Sequence, residues 1–288
     1  MFALLVKPAV LRSRRFAPLV NEWTKQGATI LQSHSIAEIR SEVEELMSGS
    51  SEPVTVVACG GDGTVHLLLN AVVGLDVRFA VVPMGTGNDF ARYLGLKKAR
   101  DAIEVAKSGV TRNIDVGHIA LKDESRHFLG IASCGFDAQV NERANTYRGP
   151  QGTVKYVVAL LGELRALKAL KVLVAIDDSA SHHKVTLMAI GNTSSYGGGM
   201  LVCPQADAYD AKLEVMRVAE VNRRTLLRVF PRVFRGTHVT HPAVTMSRAS
   251  RVEISGEDFP IYADGERIGL GPAAVTVLPA KLAVLHER

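Results

Sequence analysis

A chain of 288 residues that is 47% hydrophobic and 22% charged can fill one large domain or two ordinary ones, which excludes disorder as its default state. Its three cysteines, Cys59, Cys134 and Cys203, lie far apart with no CxxC pair. Neither a disulfide framework nor a structural zinc site is indicated, and a reduced, cytoplasmic setting is the simplest inference. A net charge of +5 attracts polyanions (phosphate, nucleic acid or anionic lipid) without choosing among them.

The chain opens with MFALLVKPAVLRSRRF, whose apolar residues precede its basic ones, the reverse of a secretory signal. No apolar run reaches bilayer-spanning length without a charge, so a soluble protein is expected. Apolar runs and amphipathic segments then alternate as in βαβ units. Strands are expected over 3–6, 28–31, 54–59 and 78–82, and helices over 14–26, 36–47, 65–73, 90–94 and 99–107. Runs such as VTVVAC and FAVVP suit a parallel sheet covered on both faces, and such sheets bind ligands at the carboxyl ends of their strands. Trp23 falls on a helix of this region and reads as core.

From NIDVGHIAL onward the runs become shorter and β-rich: HFLGIASCG, KVLVAI, KVTLMAIGN, KLEVMRV, RVEISG, FPIYADG and AVTVLPAKLAVL. Helical insertions are expected over 152–169 and 223–234. The pattern predicts an α/β domain over 1–115 and a β-rich sandwich domain over 116–288, the last residues being available to return to the first.

The chemistry concentrates in two glycine-rich turns. VVACGGDGTVHLLLN is followed one strand later by FAVVPMGTGNDFARYLG, so adjacent strands would carry Gly60, Gly61, Asp62, Gly63 and Thr64, and Gly85, Thr86, Gly87 and Asn88, to the same sheet edge. Glycines let backbone N–H groups approach a phosphate, and the helix that follows adds a partial positive charge. Neither turn is a P-loop, and Phe90 stands where GxGxxG needs its third glycine. Taken alone, each would be a tight βα turn. Asp62 is the exception, since an acid beside a phosphate needs a cation or a hydroxyl between them.

GGDGT, PMGTGNDFAR, GFDAQV, GNTSSYGGGM, PQADAYDAKLEV and ADGERI, in this order, resemble the diacylglycerol kinase catalytic family, which includes soluble bacterial lipid kinases and sphingosine kinases. The resemblance spans nearly the whole chain and implies a Rossmann-like first domain of the NAD kinase and phosphofructokinase kind. It implies transfer of the γ-phosphoryl of ATP, with Mg²⁺, to a lipid hydroxyl, most simply that of diacylglycerol, in a cleft between the domains. Gly60–Thr64 and Gly85–Asn88 correspond to the nucleotide site. Asp264 and Glu266 match the family's DGE motif, and Asp264 and Asp62 are rival candidates for the general base. Asp210, with Asp207, matches a segment that holds a structural metal in some members, although Ala211 replaces the usual glycine; a plain loop acid is the alternative. Gly197–Gly199 imply close approach to a ligand or a bend in a sheet.

Other departures are Lys7-Pro8 in place of Asn-Pro after the first strand, and His66, Leu67 and Ala71 within the family's NEVxNG. Lys7 and Arg12 are candidates for direct phosphate contact. The segment NRRTLLRVFPRVFRGTH sets Leu226, Leu227, Phe230, Val233 and Phe234 at helical spacing amid Arg224, Arg228, Arg232 and Arg235. That is either a basic membrane-surface helix or an ordinary helix packed on the sandwich. Partners are therefore expected to be a lipid met transiently at a membrane surface, with no nucleic acid and with a homodimer left open. Two competitors remain, an NAD kinase-like enzyme and a catalytically weak nucleotide-binding regulator.

Overall fold

In the computed structural model the structure describes residues 1–147, 149 and 153–287. The first unit comprises Met1–Ile114 and Ala280–Arg288, the second Asp115–Pro279. In chain order the first unit contains β1 (Phe2–Val6), α1 (Pro8–Leu11), α2 (Ala17–Lys25), β2 (Thr29–Ile30), α3 (Ile36–Ser48), β3 (Thr55–Gly60), α4 (Asp62–Val72), β4 (Arg78–Pro83), α5 (Asp89–Tyr93) and α6 (Ala99–Ser108).

Four of these strands lie in the order β2-β1-β3-β4, all parallel. Every residue of β3 is buried, as a strand covered on both faces requires. α3 starts at a capping box: the Ser35 hydroxyl accepts from Glu38 N–H and donates to the Glu38 carboxylate. Trp23 is buried with its ring 5.3 Å from that of Phe2.

Two helix starts differ from expectation. The helix expected over 14–26 begins only at Ala17, as α2, because the Ser13 hydroxyl accepts from Arg15 and Phe16 N–H and turns the chain there; α1 precedes it as a short helix the sequence did not announce. α4 begins at Asp62 rather than Val65, since Thr64 and Val65 N–H both bond back to Gly61 O. The acid of GGDGT thus lies in the first turn of a helix.

The second unit and the strand ends shared with the first add β5 (Val110–Ala120), β6 (Ser125–Phe128), β7 (Ile131–Gly135), α7 (Phe136–Thr146), α8 (Thr153–Glu163), β8 (Leu170–Ile176), β9 (Ser179–Gly191), β10 (Leu213–Ala219), α9 (Arg223–Val229), β11 (Val244–Ala249), β12 (Arg251–Gly256), β13 (Pro260–Ala263), β14 (Glu266–Leu270) and β15 (Ala273–His286). The end of β15 runs parallel to β4 in the first unit, Ala283 opposite Arg78.

Antiparallel pairing dominates the second unit. β9 pairs with β8 through its first half and with both β7 and β10 through its second. Alternation along these strands sorts two cores. Cys134, Met188, Ile190 and Val215 point into a cluster with Phe128 and Phe259, while Ile131, Ala189, Met216 and Val218 point into one with Met200 and Val202. This is the expected sandwich.

Three helical segments depart from the sequence reading. α7 was not anticipated: its apolar stripe is only Phe136, Val140 and Ala144, set at every fourth position in an otherwise polar stretch. The insertion expected over 152–169 appears as α8 followed by a 3-10 turn at Leu164–Ala166, with Gly152 outside the described residues. The helix expected over 223–234 stops at Val229 and continues as 3-10 through Phe230–Arg235, because Pro231 has no N–H to donate.

Candidate active site

Register places the two glycine turns side by side. Cys59 pairs with Val6 and with Val82, and Gly60 with Pro83, so the chain leaves β1, β3 and β4 at one edge of the parallel sheet. The turns touch through backbone: a Cβ on Gly85 would lie 2.4 Å from the Gly61 Cα. No other residue fits there without separating the loops.

Polar bonds complete the join. Asp62 Oδ1 accepts from Asp89 N–H at 2.7 Å and Phe90 N–H at 3.4 Å, so the carboxylate of one loop caps the helix that begins the other. A Cβ on Gly87 would meet Asp62 Oδ2 at 2.5 Å. Asn88, at φ 55, folds its amide over Gly85, accepting from Gly85 N–H at 3.0 Å and donating to Gly85 O at 2.9 Å. Arg92 binds Asp89 at 2.5 Å and donates to Gly87 O at 2.8 Å.

Gly61 caps α4 without a side chain, leaving the partial positive charge of this 11-residue helix for a ligand to meet. Gly63 lies in the same turn, Thr64 is buried against Gly60, and Thr86 is exposed at the tip of the second loop. Lys7 is exposed where β1 ends and α1 begins, with Arg12 at the far end of α1. Gly60–Thr64 and Gly85–Asn88, the residues expected at the nucleotide site, therefore lie on one edge.

In the second unit Asp264 occupies the β13–β14 turn at φ 52. Its Oδ1 accepts from Gly130 N–H at 2.8 Å and its Oδ2 from Leu129 N–H at 3.1 Å, which fixes the carboxylate in one orientation. Gly130 is required here, since a Cβ would lie 2.7 Å from Asp264 Oδ1. Glu266 is exposed at the start of β14.

The second unit also contains a partly open, mostly apolar groove. Phe136, Leu160, Met200, Met216, Leu226 and Phe230 are among its lining residues. Its main polar wall is Asp137 with Tyr196: the Tyr196 hydroxyl donates to Asp137 Oδ1, Asn141 Nδ2 donates to Oδ2 at 3.2 Å, and Ser133 bonds the same carboxyl. Burial pushes the Asp137 carboxyl above its ordinary value, against the smaller opposing effect of the Ser133 and Tyr196 bonds.

Of the groove residues named, sequence reasoning singled out Leu226 and Phe230, as part of a helical stripe; Phe136, Leu160 and Met216 went unnoticed because apolar lining resembles any core. GFDAQV was visible as a motif but not as the start of α7. Gly197, Gly198 and Gly199 have φ of 62°, 87° and 101°, a turn open only to glycine. Tyr196 and Met200 bond each other across it, so these glycines present two groove residues. Of the five apolar residues expected on one helical stripe, Leu226, Phe230 and Val233 line the groove, whereas Leu227 and Phe234 are exposed.

The residues suggested for a structural metal hold other partners. Asp207 Oδ1 accepts from Tyr209 N–H at 3.2 Å; Asp210 accepts from Lys212 N–H at 2.9 Å and pairs with Arg248. Among the described residues no three acidic, histidine or cysteine side chains converge as a ligand set. All three cysteines are buried and free, and burial pushes the Cys59 and Cys134 thiols up to about 12.

Comparison with known proteins points one way. Residues 13–119 match the diacylglycerol kinase catalytic domain, and residues 130–286 match the YegS C-terminal NAD kinase beta sandwich-like domain. A diacylglycerol kinase of Mycobacterium tuberculosis is 35% identical, covering 94% of each chain. One from Staphylococcus epidermidis is 30% identical over 84% of this chain and 76% of its own. Among solved structures, a diacylglycerol kinase from Bacillus anthracis superposes with a TM-score of 0.70 at 17% identity, covering 99% of this chain and 96% of that one. An NAD kinase from Archaeoglobus fulgidus in complex with ATP gives 0.54 at 12% identity, covering 100% and 94%.

Proposed function

The chain belongs to the diacylglycerol kinase family, and from that premise we propose that it transfers the γ-phosphoryl group of ATP to a hydroxyl of diacylglycerol or a closely related acyl lipid. The observation that carries the lipid rather than the NAD reading is the groove: most of its lining is apolar side chains, with Asp137, Tyr196, Thr225, His238 and His241 as the polar ones, which suits an acyl chain better than a dinucleotide. NAD kinase-like transfer is the second reading, supported by the superposition on an NAD kinase.

The interlocked glycine loops receive the nucleotide phosphates on backbone N–H groups and the α4 N-terminus. Mg²⁺, where bound, would be held on those phosphates with one or two carboxylates completing its shell, and would supply charge neutralisation for the transferring group. The donor chemistry fits an ion of that kind, since the acid of the loops, Asp62, is turned toward Gly87 and Asp89 rather than into a closed protein cage. Asp62 then orients the loops as a positioning residue. Asp264, fixed by two amides, accepts the proton of the attacking lipid hydroxyl.

The lipid is met at a membrane surface. Arg224, Arg228 and Arg235 are exposed around Leu227 and Phe234, and α8 exposes Val154, Val158 and Leu161. Arg232 is instead occupied, donating to Thr237 O and Thr240 Oγ1. Among the described residues no helix is long and apolar enough to cross a bilayer. Each arginine at an anionic leaflet contributes about 1 kcal/mol, so Arg224→Gln with Arg228→Gln should weaken binding to anionic vesicles roughly thirtyfold.

The test is labelled-ATP transfer to diacylglycerol, phosphatidylglycerol, a sphingoid base and NAD in mixed micelles, with and without Mg²⁺. Label on diacylglycerol alone is the expected result. Label on NAD alone overturns the lipid reading, and tight ATP binding without product identifies a regulator.

A further inference from the structure

The loop between Cys203 and Leu213 carries two acids, Asp207 and Asp210, and is flanked by Asp115 and Glu214; an oxygen of each is bonded to a backbone amide. Asp115 Oδ2 accepts from Ala211 N–H at 2.7 Å, Asp210 Oδ1 from Lys212 N–H at 2.9 Å, and Glu214 Oε2 from Gln205 N–H at 2.8 Å. Asp207 turns back on Tyr209 N–H. The loop is also tied by Asp115 N–H to Ala208 O at 2.7 Å, and Asn192 holds Asp115 O at 2.9 Å.

A divalent cation needs several deprotonated oxygens aimed at one point. Here one oxygen of each acid is taken by a backbone amide, and a cationic side chain stands at the second oxygen of Asp210: Arg248 Nη2 donates to Asp210 Oδ2. Arg248 comes from β11, directly opposite Glu214 on β10, so the ladder register delivers it. The guanidinium therefore faces two acids, Asp210 by direct contact and Glu214 by cross-strand placement. Lys212 is engaged with Ser250 Oγ at 2.8 Å. Ala211 keeps a left-handed φ of 57 without being glycine, its N–H drawn to Asp115.

We propose that Arg248 is the counter-ion of this loop, a covalently attached cation standing where a structural metal is implied, so that the loop is ordered without any divalent ion. The donor set disagrees with the metal expected at Asp210 and Asp207. The inference is independent of which lipid or nucleotide the protein uses.

Thermal unfolding of the full chain without nucleotide tests it, after chelation and again with added Mg²⁺, Ca²⁺ or Mn²⁺. Wild-type Tm should be the same in every case. Arg248→Ala should lower Tm by roughly 2–4 °C and make it rise when a divalent ion is added, while Arg248→Lys should stay near wild type. Asp210→Asn combined with Arg248→Ala should recover part of the loss, since removing the acid removes the need for its counter-ion. If Arg248→Ala does not fold, the wild-type titration and the double variant decide. A saturable rise of wild-type Tm with metal, abolished by Asp210→Asn, overturns the proposal; so does an Arg248→Ala protein with unchanged Tm.

Discussion

The glycine-loop edge of the first unit and the groove of the second are built on different physics. At the edge, Gly61 meets Gly85 backbone to backbone, and Asp62, Asn88 and Arg92 tie the two turns with charged and amide bonds. The groove instead offers a mostly apolar surface, into which Asp137, bonded by Tyr196, brings a carboxyl group. Phosphates are held by N–H groups that only particular backbone conformations expose, so their site leaves a glycine signature in the sequence. An acyl chain needs only apolar surface, and leaves none.

The largest break in this comparison comes from Asp264, which belongs to the second unit yet is built like the loops of the first, with a positive φ and two backbone donors. Asp264→Asn should lower phosphoryl transfer about 10²- to 10⁴-fold while leaving ATP affinity unchanged. Asp62→Asn should instead act through nucleotide KM and loop stability. The same kcat loss from both, with nucleotide affinity intact, would remove the positioning role from Asp62.

Next comes Gly85→Ala, which drives a methyl group into the Gly61 backbone. Overpacking of this kind costs about 1–3 kcal/mol, so ATP affinity should fall roughly five- to hundredfold with lipid KM unmoved. Wild-type ATP binding by this variant would show that the contact is dispensable.

A groove substitution should give the mirror image. Val140→Phe narrows the space beside Phe136 and Leu160, raising lipid KM by about tenfold and sparing the ATP KM. Shorter acyl chains should recover most of that loss. A change in ATP KM instead would mean that the groove does not hold the lipid.

What was legible follows from the same contrast. The parallel strands were readable as uninterrupted apolar runs, and the loops as glycine clusters at their ends. The start of α4 was missed by three residues because Gly61 caps it through its carbonyl, which no side chain announces. α7 was missed because only Phe136, Val140 and Ala144 form an apolar stripe, the buried Ala138 and Asn141 falling off it, which is too sparse to register as amphipathic. The Arg248–Asp210 pair joins residues 38 apart in sequence, brought together by the β10–β11 register, and no local pattern could have paired them.

The smallest effect concerns the acid in the apolar half. Burial raises the folded-state value of the Asp137 carboxyl above 3.8, its ordinary value, so between the two values the folded protein binds more protons than the unfolded chain. Stability contributed by the neutral carboxyl is complete below 3.8 and is lost as pH rises through the folded value. Asp137→Asn keeps the shape and an acceptor for Tyr196 but cannot ionise. Its unfolding free energy, measured by urea titration across this window, should therefore gain on wild type as pH rises and then run parallel to it. Curves that run parallel throughout would mean that the Tyr196, Ser133 and Asn141 bonds fully offset the cost of burial. The groove would then present a settled carboxylate to its ligand, and a lipid amine should outcompete a neutral ester there.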